Sequence, residues 1–175
     1  IAFDGAATPV TILEHTNDHA AVLAAINALP SPKMTDTFST NLYGAVYSGV
    51  RASQQMRFSF GDANATVVST MVVFTDGHDT AGRITRETAV NEAVRFAGTV
   101  RIISIGVADT SDTEFLTAIA TSGLYSFPSS SSLVSSFADI ALKVANAANS
   151  YYSLAMCVPL RSSSVSLSIA LNASL

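Results

Sequence analysis

The sequence predicts an α/β fold: a mostly parallel sheet with helices on both faces, followed by a C-terminal β extension. Three observations predict it. Residues 66–75 and 101–107 are almost continuously apolar and β-branched, as strands buried on both faces are. Segments of helical periodicity with recognisable caps alternate with them. Of the 175 residues, 49% are hydrophobic and only 13% charged, an excess that a doubly covered sheet accommodates. Alternating strands and helices imply one parallel sheet with right-handed crossovers. A chain of this length forms one domain with a substantial core.

Residues 1–3 read as the end of a strand, Asp4-Gly5 as turn chemistry, and residues 9–13 as a second, shorter strand. Asn17 or Asp18 caps a helix reaching residue 29, where Pro30 stops it. Val22, Ile26 and Leu29 fall at helical spacing along it. A polar loop over 31–38 leads to a helix over about 41–55, with Leu42, Val46 and Val50 on one face. After a connection containing Gly61 and Asp62 comes the first buried strand, VVSTMVVF.

The next helix spans 85–97 and is closed by Gly98. The strand RIISIGV follows, and Ser111 with Glu114 forms a capping box for a helix to about 122. Residues 124–127 make a short strand. A serine-rich loop then precedes a long helix over 133–149, with Val134, Phe137, Ile140, Ala141 and Val144 inward. Beyond it the period changes. Residues 152–158 read as a strand, and Val165, Leu167, Ile169 and Leu171 alternate with small residues, as on a half-exposed antiparallel strand. The domain is therefore expected over 1–149. Residues 150–175 are expected to be a β extension or the start of a β-rich neighbour.

Charge and motifs exclude several classes. Lys plus Arg number 9 and Asp plus Glu 13, a net charge of −4, and the basic residues are scattered. Nucleic acid is thus not an expected partner, since phosphate binding needs a basic surface. No apolar run reaches the ~18 residues of a membrane span. The single cysteine, Cys157, rules out a CxxC zinc site and reads as a buried thiol or half of a disulfide to a partner outside the sequence. Asn64 and Asn172 head glycosylation sequons, usable if the chain is secreted. No signal peptide is visible, and the start at Ile1 inside an apolar run reads as a cut. There is no nucleophile elbow, P-loop or dinucleotide fingerprint, so an enzyme is not expected.

Two segments carry chemistry. Ser39-Thr40-Asn41-Leu42-Tyr43 is a loop entering a helix, and VVFTDGHD is a buried strand ending in Thr75-Asp76-Gly77. In parallel sheets, sites form beyond the carboxyl ends of the strands. There, a Thr40 hydroxyl and an Asp76 carboxylate can meet around a hard cation such as Mg²⁺, which takes oxygen ligands. Gly77 is expected to let the chain turn away sharply. Thr40 reads equally as the cap of the helix that follows, and Asp76 as a turn residue.

The order of elements, the TNLYGAV segment, the VVFTDGHD strand end and the IISIGVAD strand resemble the von Willebrand factor A family over about residues 1–149. The resemblance implies a Rossmann-like sheet and a metal-ion-dependent adhesion site on three loops. It assigns Thr40 to the second loop and Asp76 to the third, with Mg²⁺, Ca²⁺ or Mn²⁺ as cofactor. The first loop should carry D-x-S-x-S, which this sequence lacks. Asp109-Thr110-Ser111-Asp112-Thr113 approaches it but comes after the other two loops, and it reads as a turn and cap. The family's first strand and its loop are therefore expected upstream of Ile1, and the metal site is expected to be complete only with them.

Asp79 and Asp109 read as turn or cap residues, and Asp4 as a turn residue without a metal role. His15 and His19 stand four apart but lack a metalloprotease pattern and read as solvated. His78 reads as an exposed loop residue. The resemblance implies an extracellular or cell-surface binding module for a protein or glycan partner. The alternative is a structural component of a surface filament or matrix with permanent, metal-independent contacts. An intracellular subunit of an ATP-driven machine is a third reading.

Overall fold

A computed structural model of the chain describes residues 1–29, 35–36, 38–60, 67, 69–107, 112–127 and 133–148. Its elements are α1 (His19–Asn27), α2 (Leu42–Phe60), β1 (Ser69–Thr75), α3 (Arg86–Arg95), β2 (Val100–Val107), α4 (Thr113–Ile119), β3 (Gly123–Phe127) and α5 (Leu133–Ala148). The three strands form one parallel sheet in the order β1-β2-β3, as the alternation of buried strands and capped helices predicts.

The pleat of β2 divides the core. Ile102 faces α2, α3 and α4, in a cluster with Leu42, Val46, Val50, Ala89, Ala93, Phe115, Leu116 and Ile119. Ile103 and Ile105 point the other way, against Ile140 of α5. A strand covered on both faces is apolar at nearly every position, which is why RIISIGV does not alternate. Each fully buried aliphatic side chain here contributes roughly 1.5–3 kcal/mol. Arg51 of α2 adds an ion pair to the nearly buried Glu92 of α3 at 2.8 Å.

Several local expectations are corrected. Residues 1–3 do not join the sheet. Ala2 forms a lone antiparallel bridge with Val10, and Phe3 packs against the core from outside the sheet. The outer edge of β1 has no paired strand among the described residues. Asp18 caps α1, accepting from the amides of Ala20 and Ala21, yet α1 buries none of its residues. Val22, Ile26 and Leu29, whose helical spacing predicts a buried face, are exposed, as is Leu23. A helix needs a neighbouring surface to bury its apolar stripe, and among the described residues no strand pairs with the outer edge of β1 to supply one. Instead a cleft of about 1690 Å³ opens there, lined by Val22, Leu29, Phe3, Met71 and Val73 among others.

The cap of α4 is Asp112, whose carboxylate accepts from the Phe115 amide; Ser111 lies outside the described residues. α3 ends on Phe96, so Gly98 is not its cap. The expected glycans at Asn64 and Asn172, the thiol of Cys157, the turn at Asp109 and the β extension of residues 150–175 also lie outside the described residues. Among the described residues, no helix is long and apolar enough to cross a membrane.

Candidate functional site

Three loops converge beyond the carboxyl end of β1. The first follows Phe3, the second precedes α2, and the third follows β1. Each is held by hydrogen bonds to the others.

The third loop begins at Thr75, a buried residue whose hydroxyl accepts from the Gly77 amide and donates to the Gly77 carbonyl. This closed turn leaves Asp76 exposed. The turn depends on Thr75 rather than on Gly77: Gly77 does not adopt a positive φ, and a Cβ added to it would meet nothing. Asp79 then braces the loop. One carboxylate oxygen accepts from the Gly82 amide and the other from the Tyr43 amide in the first turn of α2, both at 2.8 Å. Gly82 has φ 59°, a left-handed conformation that suits glycine.

Thr40 is zipped to this loop by its backbone. Its carbonyl accepts from the amides of Thr80 and Ala81 at 2.9 and 3.1 Å, and its amide donates to the Thr80 hydroxyl at 2.8 Å. The cap of α2 is Asn41, whose Oδ1 accepts from the Gly44 amide at 3.0 Å. The capping reading of Thr40 is thus displaced by one residue. Thr40 is half-buried, and it lines the same cleft as Asp76.

Asn41 also joins the second loop to the first. Fully buried, it donates Nδ2 to the carbonyls of Ala6 and Ala7 at 2.8 and 3.3 Å, while its amide donates to the Asp4 carbonyl. The TN pair therefore divides its work: Thr40 binds the third loop and Asn41 the first.

Asp4 lies at the centre of the first loop and is 6% exposed. Its Oδ1 accepts from the Ala6 amide at 2.9 Å, and its Oδ2 from the amides of Thr35 and Asp36 at 2.6 and 2.9 Å. The Asp36 amide, helped by those of Ala6 and Thr35, holds the carboxyl below its ordinary range against the opposing effect of burial. Gly5 is in close approach, since a Cβ there would collide with the Ser39 hydroxyl and the Asp36 carboxylate. On the far side of the cluster, the Tyr43 hydroxyl donates to Asp112 at 2.8 Å and its ring packs on Phe115. Burial, with the Asp112 carboxylate, pushes that phenol up to about 12.

Asp4, which reads in sequence only as a turn residue, is a buried hub of this cluster, and its partners Thr35 and Asp36 lie more than thirty positions away. His15 precedes α1, His19 opens it, and both are exposed, as is His78.

The resemblance implies a divalent cation at these loops, and of its expected donors this chain supplies Thr40 and Asp76, which line one cleft. Among the described residues, no three His, Cys, Asp or Glu side chains gather as a metal-holding group.

Comparison with known proteins agrees with the architecture. No curated protein matches the chain. Residues 1–141, by contrast, match the profile of the von Willebrand factor type A domain, a family commonly engaged in adhesion and protein interaction. With that match over most of its length and a parallel sheet flanked by helices, the chain belongs to the von Willebrand factor type A domain family.

Proposed function

We propose that this chain is a binding module, not a catalyst, and that it engages a protein or glycan partner through the loop cluster beyond β1. The observation that carries the reading is Phe38. It sits on the second loop, two residues before Thr40, and is 99% exposed. An aromatic side chain held out on a braced loop is the kind of anchor that supplies much of the energy of an interface. Asp36 holds the residues around it: the Phe38 amide donates to its carboxylate, and the Ser39 hydroxyl donates to the same carboxylate at 2.7 Å. Exposed Asp76 and His78 on the third loop supply polar contacts around the anchor. An extracellular or cell-surface setting is part of this proposal and is supported by the two sequons.

A photoreactive amino acid placed at position 38 in the protein in its native cells tests the reading. Crosslinked adducts at 38, and none from Glu87 on the exposed face of α3, are expected. Equal yields at the two positions reject the loop cluster as the contact surface.

A second reading is a structural component with permanent contacts. It is favoured by the apolar side chains left uncovered on α1 and β1, namely Leu23, Ile26, Val72 and Phe74. Contiguous exposed apolar surface marks an interaction face. Crosslinks from Ile26 and Val72, in place of position 38, would support it.

A further inference from the structure

We propose that Arg51 and Arg95, gathered on the carboxylate of Glu92, form a second contact surface that takes an acidic segment of a partner protein. This surface stands apart from the loop cluster. Arg51 lies about 14 Å along α2 from Leu42, at 1.5 Å per residue, and Arg95 ends α3. Each guanidinium is held by two groups. Arg51 Nε donates to Glu92 Oε1 at 2.8 Å, and its Cζ lies over the Tyr47 ring, 4.7 Å from the centroid. Arg95 Nη1 lies 3.9 Å from Glu92 Oε2, and its Cζ lies over the Phe96 ring at 5.1 Å.

The arrangement turns its positive charge outward. The Glu92 side chain is only 9% exposed, whereas those of Arg51 and Arg95 are 55% and 68% exposed. Two cations share one anion, so the trio keeps one net positive charge on a chain whose net charge is −4. A guanidinium has five N–H donors in a planar fork that matches a carboxylate. Glu92 takes the Nε donor of Arg51, and the Nη donors remain for a second acceptor. Arginine and tyrosine are also the side chains that protein interfaces favour. The neighbouring exposed groups of α3 suit a peptide: Val94 is apolar, and Thr88 and Asn91 are neutral hydrogen-bonding residues. A dense polyanion fits less well, because it needs a run of cations and meets here one net charge on an acidic chain. The complement is thus one or two carboxylates beside an apolar side chain.

Fluorescence anisotropy on the whole chain tests this. The probe is a labelled peptide of alternating glutamate and phenylalanine, and its control replaces every glutamate by glutamine. Saturable binding of the glutamate peptide is expected, with the glutamine peptide clearly weaker. Arg51→Ala and Arg95→Ala should each weaken binding about fivefold, the upper end for a solvent-screened ion pair. Arg51→Lys keeps a cation beside Glu92 but lacks the planar fork, so it should also lose affinity while remaining folded by circular dichroism. Arg86→Ala removes the same charge from the other end of α3, where Arg86 pairs with Glu114, and should leave affinity unchanged. No saturable binding up to millimolar peptide, equal binding of the two peptides, or an equal loss in Arg86→Ala would overturn the proposal. Binding of heparin that is lost in Arg51→Ala and Arg95→Ala, without binding of the glutamate peptide, would assign the pair to a sulfated glycan and overturn it as well.

Discussion

Asn41 donates its side-chain amide to the Ala6 carbonyl at 2.8 Å, across 35 positions of sequence, while its carbonyl oxygen caps α2 at Gly44. One fully buried side chain thus ends a helix and ties down a remote loop. Asn41→Ala should lose both contacts and leave the carbonyls of Ala6 and Ala7 without that donor. A loss of about 2–3 kcal/mol in urea denaturation is expected, the sum of a cap and a buried hydrogen bond. Asn41→Asp keeps the cap acceptor but places a carboxylate against two carbonyls. If Asn41→Asp were as stable as the wild type, the link to the first loop would carry no energy.

Gly44 should invert the usual rule for helices. Glycine to alanine inside a helix ordinarily stabilises by roughly 0.5–1 kcal/mol. At Gly44 the added Cβ would collide with the Asn41 side chain. Gly44→Ala should therefore destabilise, whereas Gly98→Ala, where a Cβ meets nothing, should be close to neutral. A thermal melt of the two variants decides it, and a higher Tm for Gly44→Ala would contradict the cap geometry.

Thr40→Ala separates a surface role from a structural one. Asn41, not Thr40, caps α2, and the bonds of Thr40 to the third loop run through its backbone. Alanine preserves that backbone, so stability should change by less than about 0.5 kcal/mol. A loss of 1 kcal/mol or more would mean that the hydroxyl has a structural role. Any effect of this variant on partner capture through position 38 then reads directly on the binding surface.

The pH dependence follows from Asp4. Its carboxyl is held below its ordinary 3.8 by the amides it accepts, so the folded state binds that proton less readily than the unfolded chain. The resulting stability is fully present above the unfolded value and is lost as pH falls through the folded one. Asp4→Asn should be less stable than wild type at neutral pH, and the gap should narrow in melts taken progressively below about pH 3.8. A gap that stays constant down to low pH would place the origin of the effect elsewhere.

The sequence by itself determined the class of this fold and its buried strands. RIISIGV is apolar at nearly every position because both faces of β2 are covered, and no other environment explains such a run as economically. It also marked the second and third loops, because TNLYGAV and VVFTDGHD are contiguous patterns with local causes: a cap before a helix and a turn after a strand. What it did not reveal is Asp4. A buried aspartate beside glycine looks in sequence like any turn, and its partners at Thr35 and Asp36 are brought to it only by the folded chain. The periodicity of α1 was equally legible, yet whether Val22, Ile26 and Leu29 are buried depends on a neighbouring surface that periodicity does not encode. Local pattern reports what a segment is able to bury. Only the tertiary arrangement decides what it meets, because hydrogen-bond partners and packing surfaces come from residues far away in the chain.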